Sequence, residues 1–357
     1  MKTKDKQVVL DTANTPSLKI ASRNDVAKLA GVSPSAVSQV LNNLPNTRIS
    51  PLVREKILSA ALELGYRPNP IAKALAAGRT SIIGVMIFHL GSPFGEYTSE
   101  ILNASWLRFN ENSYKMLIDC KKVNDDISAQ FREESWCDGY IIVAPPLMLR
   151  GSESIPSSQR ACVCIGSRPD GIETSYTDMD NRHAGRMAVS YLIERGHRKI
   201  AHISGPVSEI SSARDRFTGY IEALRKHGLQ FSESLVAEGK YMPISGRASM
   251  NELLKKGDKF TAVFAANDAM ARDAINEARS NGLRVPEDIS IIGIDDSPPQ
   301  HGKANDQLTT IRQPLAEIGA EATSILMKLM AEDPKSRRPI VKLFPGKIIE
   351  RATVVKI

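Results

Sequence analysis

With 357 residues, the chain has room for two or three domains and an ample core. Its formal net charge of +7 is unevenly placed: up to Arg79 there are 12 Lys and Arg against 5 Asp and Glu, and beyond it 35 against 35. A basic segment ahead of a neutral remainder is the footprint of a nucleic-acid partner, although a solvated face carries charge in the same way. No early apolar run resembles a signal peptide and none is long enough to span a bilayer, so a cytoplasmic protein with no membrane partner is expected. Cys120, Cys137, Cys162 and Cys164 lack zinc-site spacing and read as buried free thiols in a reducing compartment.

Residues 1–20 are polar, without helical or strand periodicity, and read as a flexible arm. "SRNDVAKLAG" follows as a helix, with Ser22 and Asp25 placed as a capping box, Val26, Leu29 and Ala30 facing inward, and Gly31 as its stop. The next stretch, "GVSPSAVSQVLNN", begins a helix at Ser33 as cap and Pro34 as first helical residue. Val37, Val40 and Leu41 lie on one side of it, and Pro34, Ser35, Ser38, Gln39 and Asn42 on the other. Two short helices joined by "AGVS" have the spacing of a helix-turn-helix DNA reader; an ordinary helical hairpin in a globular core shares it. After the loop "NNLPNTRIS", Ser50 and Pro51 open a third helix whose Val53, Ile57, Ala60 and Leu64 can close a three-helix core.

In "YRPNPIAKALAAGRTS", Asn69 and Pro70 give a second cap-and-first-turn signal and Gly78 a stop, leaving room for about two helical turns. A helix so short is marginal unless something holds it, and an interdomain linker fits the same residues. From Ser81 the texture changes to the short apolar runs "IIGVMIF", "KMLIDC", "GYIIVAP", "ACVCIG", "KIAHISG", "TAVFAAN" and "SIIGID", separated by amphipathic helices. That alternation predicts two doubly wound parallel-sheet subdomains, with a ligand in a cleft at the carboxyl ends of their strands.

The pieces "DVAKLAGVSPSAVSQVLNN", "LELGYRPNPIAKALAAGRTSIIGV", "DGYIIVAP", "YLIERGHRKIAHISGP", "ANDAMA" and "RVPEDISIIGIDD" follow one another in an order that resembles the LacI/GalR family of bacterial transcriptional regulators. The resemblance implies an all-α helix-turn-helix headpiece at 21–68, a hinge helix at 69–79 and a periplasmic-binding-protein-like α/β core at 80–357. Within the core it implies a first subdomain of about 80–179 and 311–341 and a second of about 180–310 and 342–357. The implied partners are a pseudo-palindromic operator in double-stranded DNA, a small-molecule effector that is sugar-like, and a second copy of the chain in a homodimer.

By the same resemblance, Pro34, Ser35 and Gln39 face the bases, Ser38 and Asn42 lie nearer the backbone, and the hinge contributes Asn69 and Leu75. The leucine matching Leu75 is wedged between base pairs in the minor groove, a use of an apolar side chain that bends DNA. Gln39 and Ala36 stand where family members usually have Arg and Thr; Gln can make a bidentate contact to adenine, whereas Arg prefers guanine. For the effector, the resemblance points to Phe94, Arg216, Tyr241, Asn267, Asp295 and Gln313. Arg and Asp can fork onto adjacent hydroxyls and aromatic faces can cover a ring, which suits a polyol or sugar. Gly166 departs from the pattern, standing after "ACVCI" where many relatives place an acidic ligand residue.

A transport protein that only binds a ligand could share the core, but not the basic headpiece. A sugar-modifying enzyme finds little support: Walker, HExxH and G-x-S-x-G motifs are missing, and the six His are scattered. The chain therefore reads as a repressor, not an enzyme, with no cofactor and no metal.

Overall fold

In a computed structural model of the chain, residues 21–42, 48–68, 74, 78–88, 95–132, 137–157, 160–298 and 307–357 are described. The chain divides into two compact units, Met1–Thr80 and Ser81–Ile357.

The first unit holds α1 (Arg23–Ala30), α2 (Pro34–Leu41) and α3 (Pro51–Glu63). Each begins at a serine whose side chain accepts a backbone N–H of the first turn: Ser22 from Asp25, Ser33 from Ala36 and Ser50 from Val53. In α1 the cap is reciprocal, because the Ser22 N–H donates to Asp25 Oδ2 at 2.8 Å. Val26, Ala27, Val37, Val40, Ile57, Ala60 and Ala61 form the buried core, with Ala30, Leu41, Val53 and Leu64 packed at its edge. Leu29, expected inside, is 47% exposed. Val26, Ala27 and Ala30 define the inner face of α1, and at 100° per residue Leu29 falls about 110° from its centre.

The second unit is built on two sheets. The strands are β1 (Ile82–Phe88), β2 (Lys115–Lys121), β3 (Gly139–Val143), β4 (Ala161–Ile165), β5 (Ser175–Met179), β6 (Ile200–Ser204), β7 (Val236–Glu238), β8 (Ala262–Ala265), β9 (Ser290–Asp295), β10 (Thr309–Arg312), β11 (Val341–Phe344) and β12 (Lys347–Ile349). The first sheet has the order β11-β5-β4-β3-β1-β2 and the second β12-β10-β9-β8-β6-β7. All neighbours run parallel except β10 and β12.

Both faces of each sheet are covered, as crossover helices require. In the first sheet, Ile83, Val85, Ile87, Ile141 and Val163 point to helices Glu96–Glu111 and Leu315–Ala331, while Met86, Phe88, Tyr140, Ile142, Cys162 and Cys164 point the other way. In the second, Ile200, Phe264 and Ile292 meet helices Asn181–Glu194 and Ser211–Lys226, and Ala201, Ile203, Val263 and Ile291 meet Pro243–Lys256 and Asp268–Ser280. All four cysteines are unpaired; Cys120 is exposed and the other three are buried.

The chain crosses between the sheets three times: after β5, between β10 and the Leu315–Ala331 helix, and between β11 and β12. Two crossings differ from the expected limits at 311 and 342. Ile311 and Arg312 pair with β9 in the second sheet, and Lys342 to Phe344 pair with β5 in the first. Hydrogen-bonded register sets these limits, and each lies two or three residues beyond the approximate bound that the resemblance implies.

Candidate functional site

On α2 of the headpiece, Val37 and Val40 anchor the helix, which leaves Pro34 and Ser35 exposed and Ser38, Gln39 and Asn42 half-buried. The Asn42 amide donates to Ser38 O at 2.9 Å and lies 3.2 Å from Ser38 Oγ, so these two residues fix each other at the end of the helix. The outer face of α2 bears no charge and no large side chain, a form that admits close approach to a major groove. Asn69 and Leu75 lie outside the described residues.

In the core, the ends of β5, β6, β8 and β9 bring a second group together. Arg216 is 4% exposed; its Nε donates to Asn181 Oδ1 at 2.8 Å and its Nη1 to the Ala266 carbonyl at 2.5 Å. The guanidinium carbon lies 5.8 Å from the Tyr241 ring centre. Asn267 accepts the Met270 N–H at 2.9 Å as cap of Asp268–Ser280, and its amide donates to Tyr241 O at 3.2 Å. Across from them the Gln313 amide donates to Asp295 Oδ1 at 2.6 Å, and the buried Gln313 Oε1 has no partner among the described residues. Tyr241 and Asp295 have φ of 57° and 135°, a strained backbone of the kind held at ligand sites.

Arg216, Tyr241, Asn267, Asp295 and Gln313 are thus assembled, whereas Phe94 lies outside the described residues. Three residues join them that the motifs did not single out. Asp178 is 1% exposed and accepts from the Tyr176 hydroxyl at 2.7 Å, the Met179 N–H at 2.8 Å and the Asn181 amide at 2.6 Å. Asn181 therefore stands between Asp178 and Arg216. Tyr97 is the third: an added Cβ on Gly166, whose φ is +75°, would stand 2.1 Å from the Tyr97 hydroxyl. The absence of a side chain at 166 is what admits that phenol, and the sequence signal was Gly166 itself.

The charges are those of a desolvated cleft. Burial pushes the Asp178 carboxyl up to about 6, against the Tyr176 hydroxyl, Arg216 and two further donors. Asp295 is raised by burial, opposed by Arg216 and Gln313. Asp268 is raised to about 8, by burial and by the charge of Asp295, although Thr310 donates to it at 2.5 Å. The Tyr97 phenol is raised by burial and by Asp178. One buried guanidinium facing several carboxylates and phenols offers both donors and acceptors without a strong excess of positive charge. Among the described residues no cluster of His, Cys, Asp and Glu could hold a metal, and no helix is long and apolar enough to cross a membrane.

Comparison with known proteins places the two units. Residues 24–69 match the family described as bacterial regulatory proteins, lacI family, and residues 189–354 the periplasmic binding protein-like domain. The chain is 33% identical over 316 residues to the HTH-type transcriptional regulator CelR of Thermobifida fusca, covering 85% of this chain and 89% of that one. It is 31% identical over 352 residues to the repressor PurR of Pasteurella multocida, covering 93% and 98%. Among solved structures, the lac repressor dimer bound to operator and the anti-inducer ONPF superposes with a TM-score of 0.80 at 26% identity, covering 94% of this chain and all of that one. A complex of CelR with cellobiose superposes at 0.70 with 28% identity, covering 93% and 99%. The helical headpiece and the two-sheet core thus match regulators over nearly the whole chain, which belongs to the lacI family of bacterial regulatory proteins and is an effector-controlled DNA-binding regulator.

Proposed function

We propose that the chain is a repressor, not an enzyme, whose operator affinity is set by a neutral sugar or polyol bound between the two core subdomains. The observation that carries this reading is the environment of Arg216, a buried guanidinium held by Asn181 and Ala266, with Tyr241 beside it and the charge of Asp295 within reach. Such a group forks onto adjacent hydroxyls, the carboxylates accept from others, and the aromatic rings cover the apolar face of a sugar. The complex of the relative CelR with cellobiose supports a sugar as the class of effector.

Pro34, Ser35 and Gln39 are proposed to read base edges and Ser38 and Asn42 to sit near the backbone, with Asn69 and Leu75 acting from the hinge. The partner on DNA is a second copy of this chain. The roughly half-exposed apolar side chains Trp106, Leu107, Leu117 and Ile118, on the Glu96–Glu111 helix and the edge strand β2, support a buried face in such a dimer. The solved lac repressor is a dimer on its operator.

The test is a thermal-shift panel of neutral mono- and disaccharides, cellobiose included, on the purified chain and on Arg216→Ala. At least one sugar is expected to raise the melting temperature of the wild type. Arg216→Ala should weaken it about tenfold or more, the worth of a charged hydrogen bond, while sugar-free operator binding is kept. If a sugar stabilises both proteins equally, the role of Arg216 is refuted; if none binds the wild type, the ligand class is.

A further inference from the structure

A second cavity, of about 180 Å³, opens beside the crossing segment that follows β5, and Arg216 is not among its lining residues. Its walls come from both subdomains: Arg168 and Tyr176 from the first, Asp180, Asn181 and Arg182 from the start of the Asn181–Glu194 helix, and Asp215 from the Ser211–Lys226 helix. Two of its four charged groups are already engaged. Arg182 is paired with Glu222, and Asp180 accepts the His183 N–H at 2.8 Å.

The other two are not. The Arg168 guanidinium lies over the Tyr176 ring, 5.4 Å from its centre, and meets no acceptor among the described residues. The half-buried Asp215 carboxylate accepts no hydrogen bond from the described residues. Burial raises its pKa, and Arg168, Arg214 and Arg182 lower it. A lone anion entering here would meet Asp215 and Asp180, and a lone cation would meet Arg168 and Arg182. A molecule carrying one charge of each sign satisfies both free groups. The volume lies below the roughly 300 to 1,000 Å³ of pockets for drug-sized ligands, which sets the size of the occupant.

The geometry points to a second ligand site, distinct from the effector cleft, that takes an α-amino acid as its zwitterion, the ammonium on Asp215 and the carboxylate on Arg168. Its floor is linked to the cleft. Tyr176 and Asn181 line this cavity and also hold Asp178, and Asn181 holds Arg216. An occupant therefore touches the residues that fix the central side chain of the effector site.

The experiment uses the full chain with the twenty standard L-α-amino acids as probes, in thermal shift and calorimetric titration. The controls are, for each hit, the matching amine without the carboxylate and the matching acid without the amine. At least one amino acid is expected to bind at one per chain, with both single-charge analogues at least about tenfold weaker. Arg168→Gln and Asp215→Asn should each reduce its affinity by about tenfold or more while binding operator like the wild type, which also reports that they fold. The proposal is overturned if no amino acid binds the wild type, if a single-charge analogue binds as well as its parent, or if binding survives both substitutions. Loss of fold in Asp215→Asn would leave the exposed Arg168→Gln to decide.

Discussion

His202 on β6 is fully buried, stacked against Phe264, Tyr220 and Phe217 with ring centres at 4.6, 4.9 and 5.8 Å. Its Nδ1 lies 2.8 Å from the Phe264 carbonyl, an acceptor only, so Nδ1 carries the proton and the neutral Nε2 is left without a partner. Burial, with the charge of Arg216, lowers its pKa to about 4. The folded-state value lies below the unfolded value, so the unfolded chain takes up the proton first as pH falls. Stability from this group is full above about 6.5 and is lost as pH falls towards about 4. Asp178 works in the opposite direction, because its raised pKa removes stability as pH rises from about 4 to about 6. A His202→Phe variant keeps the carboxylates and loses only the histidine, so the difference between the two proteins isolates it. Chemical denaturation should show the wild type losing about 3 kcal/mol relative to the variant between pH 7 and pH 4. A constant difference would show that His202 does not titrate on unfolding.

At the scale of elements, the crossing of the Asn181–Glu194 and Ser211–Lys226 helices places the proposed effector site. A Cβ on Gly185 would stand 2.3 Å from Arg216 O, and one on Gly219 2.2 Å from Arg182 O. Two glycines facing each other's helix let the backbones approach until Arg216 Nε reaches Asn181 at 2.8 Å. Gly219→Ala must push the helices apart, at a cost of roughly 1 to 3 kcal/mol for overpacking, and a hydrogen bond of that length does not survive a shift of an ångström. Lower melting temperature together with a weakened ligand response is the expected result. Unchanged stability would mean that the helix pair is not close-packed in solution.

For the whole molecule, the division of charge follows the division of the fold. The basic excess of 12 against 5 ends at Arg79, and the compact core unit begins at Ser81. Operator affinity should therefore fall steeply with salt, on the order of 10³ to 10⁵ between 50 and 200 mM if six to ten phosphates are contacted. Effector affinity, set by hydrogen bonds in a desolvated cleft, should change little over the same range. A fluorescence-anisotropy titration at several salt concentrations with and without the ligand checks both; a flat operator response would remove the electrostatic reading of the headpiece.

Local chemistry made much of this protein legible in one dimension. Serine caps, prolines at first helical turns and apolar spacing specify the headpiece helices, because the groups that satisfy a helix end are neighbours in sequence. The buried runs of β1, β3, β4, β6, β8 and β9 announce parallel sheets for the same reason: a strand covered on both faces must be apolar throughout. β5, "SYTDM", escapes this logic. It is wholly buried yet polar, because Asp178 and Thr177 sit where the chain crosses between subdomains, with Tyr176, Met179 and Asn181 all donating to Asp178 from within three residues of it. Asp178, Asn181 and Tyr97 enter the site only through contacts made in three dimensions. Tyr97 is admitted by a glycine 69 positions later, which no local periodicity records. Leu29 fell outside because helical phase, not hydrophobicity, decides which side faces the core. What the sequence determined alone was its elements and its charge division. Which residues meet, and where the chain passes from one sheet to the other, was decided by tertiary packing, since hydrogen-bonded register and close helix approach depend on partners distant in sequence.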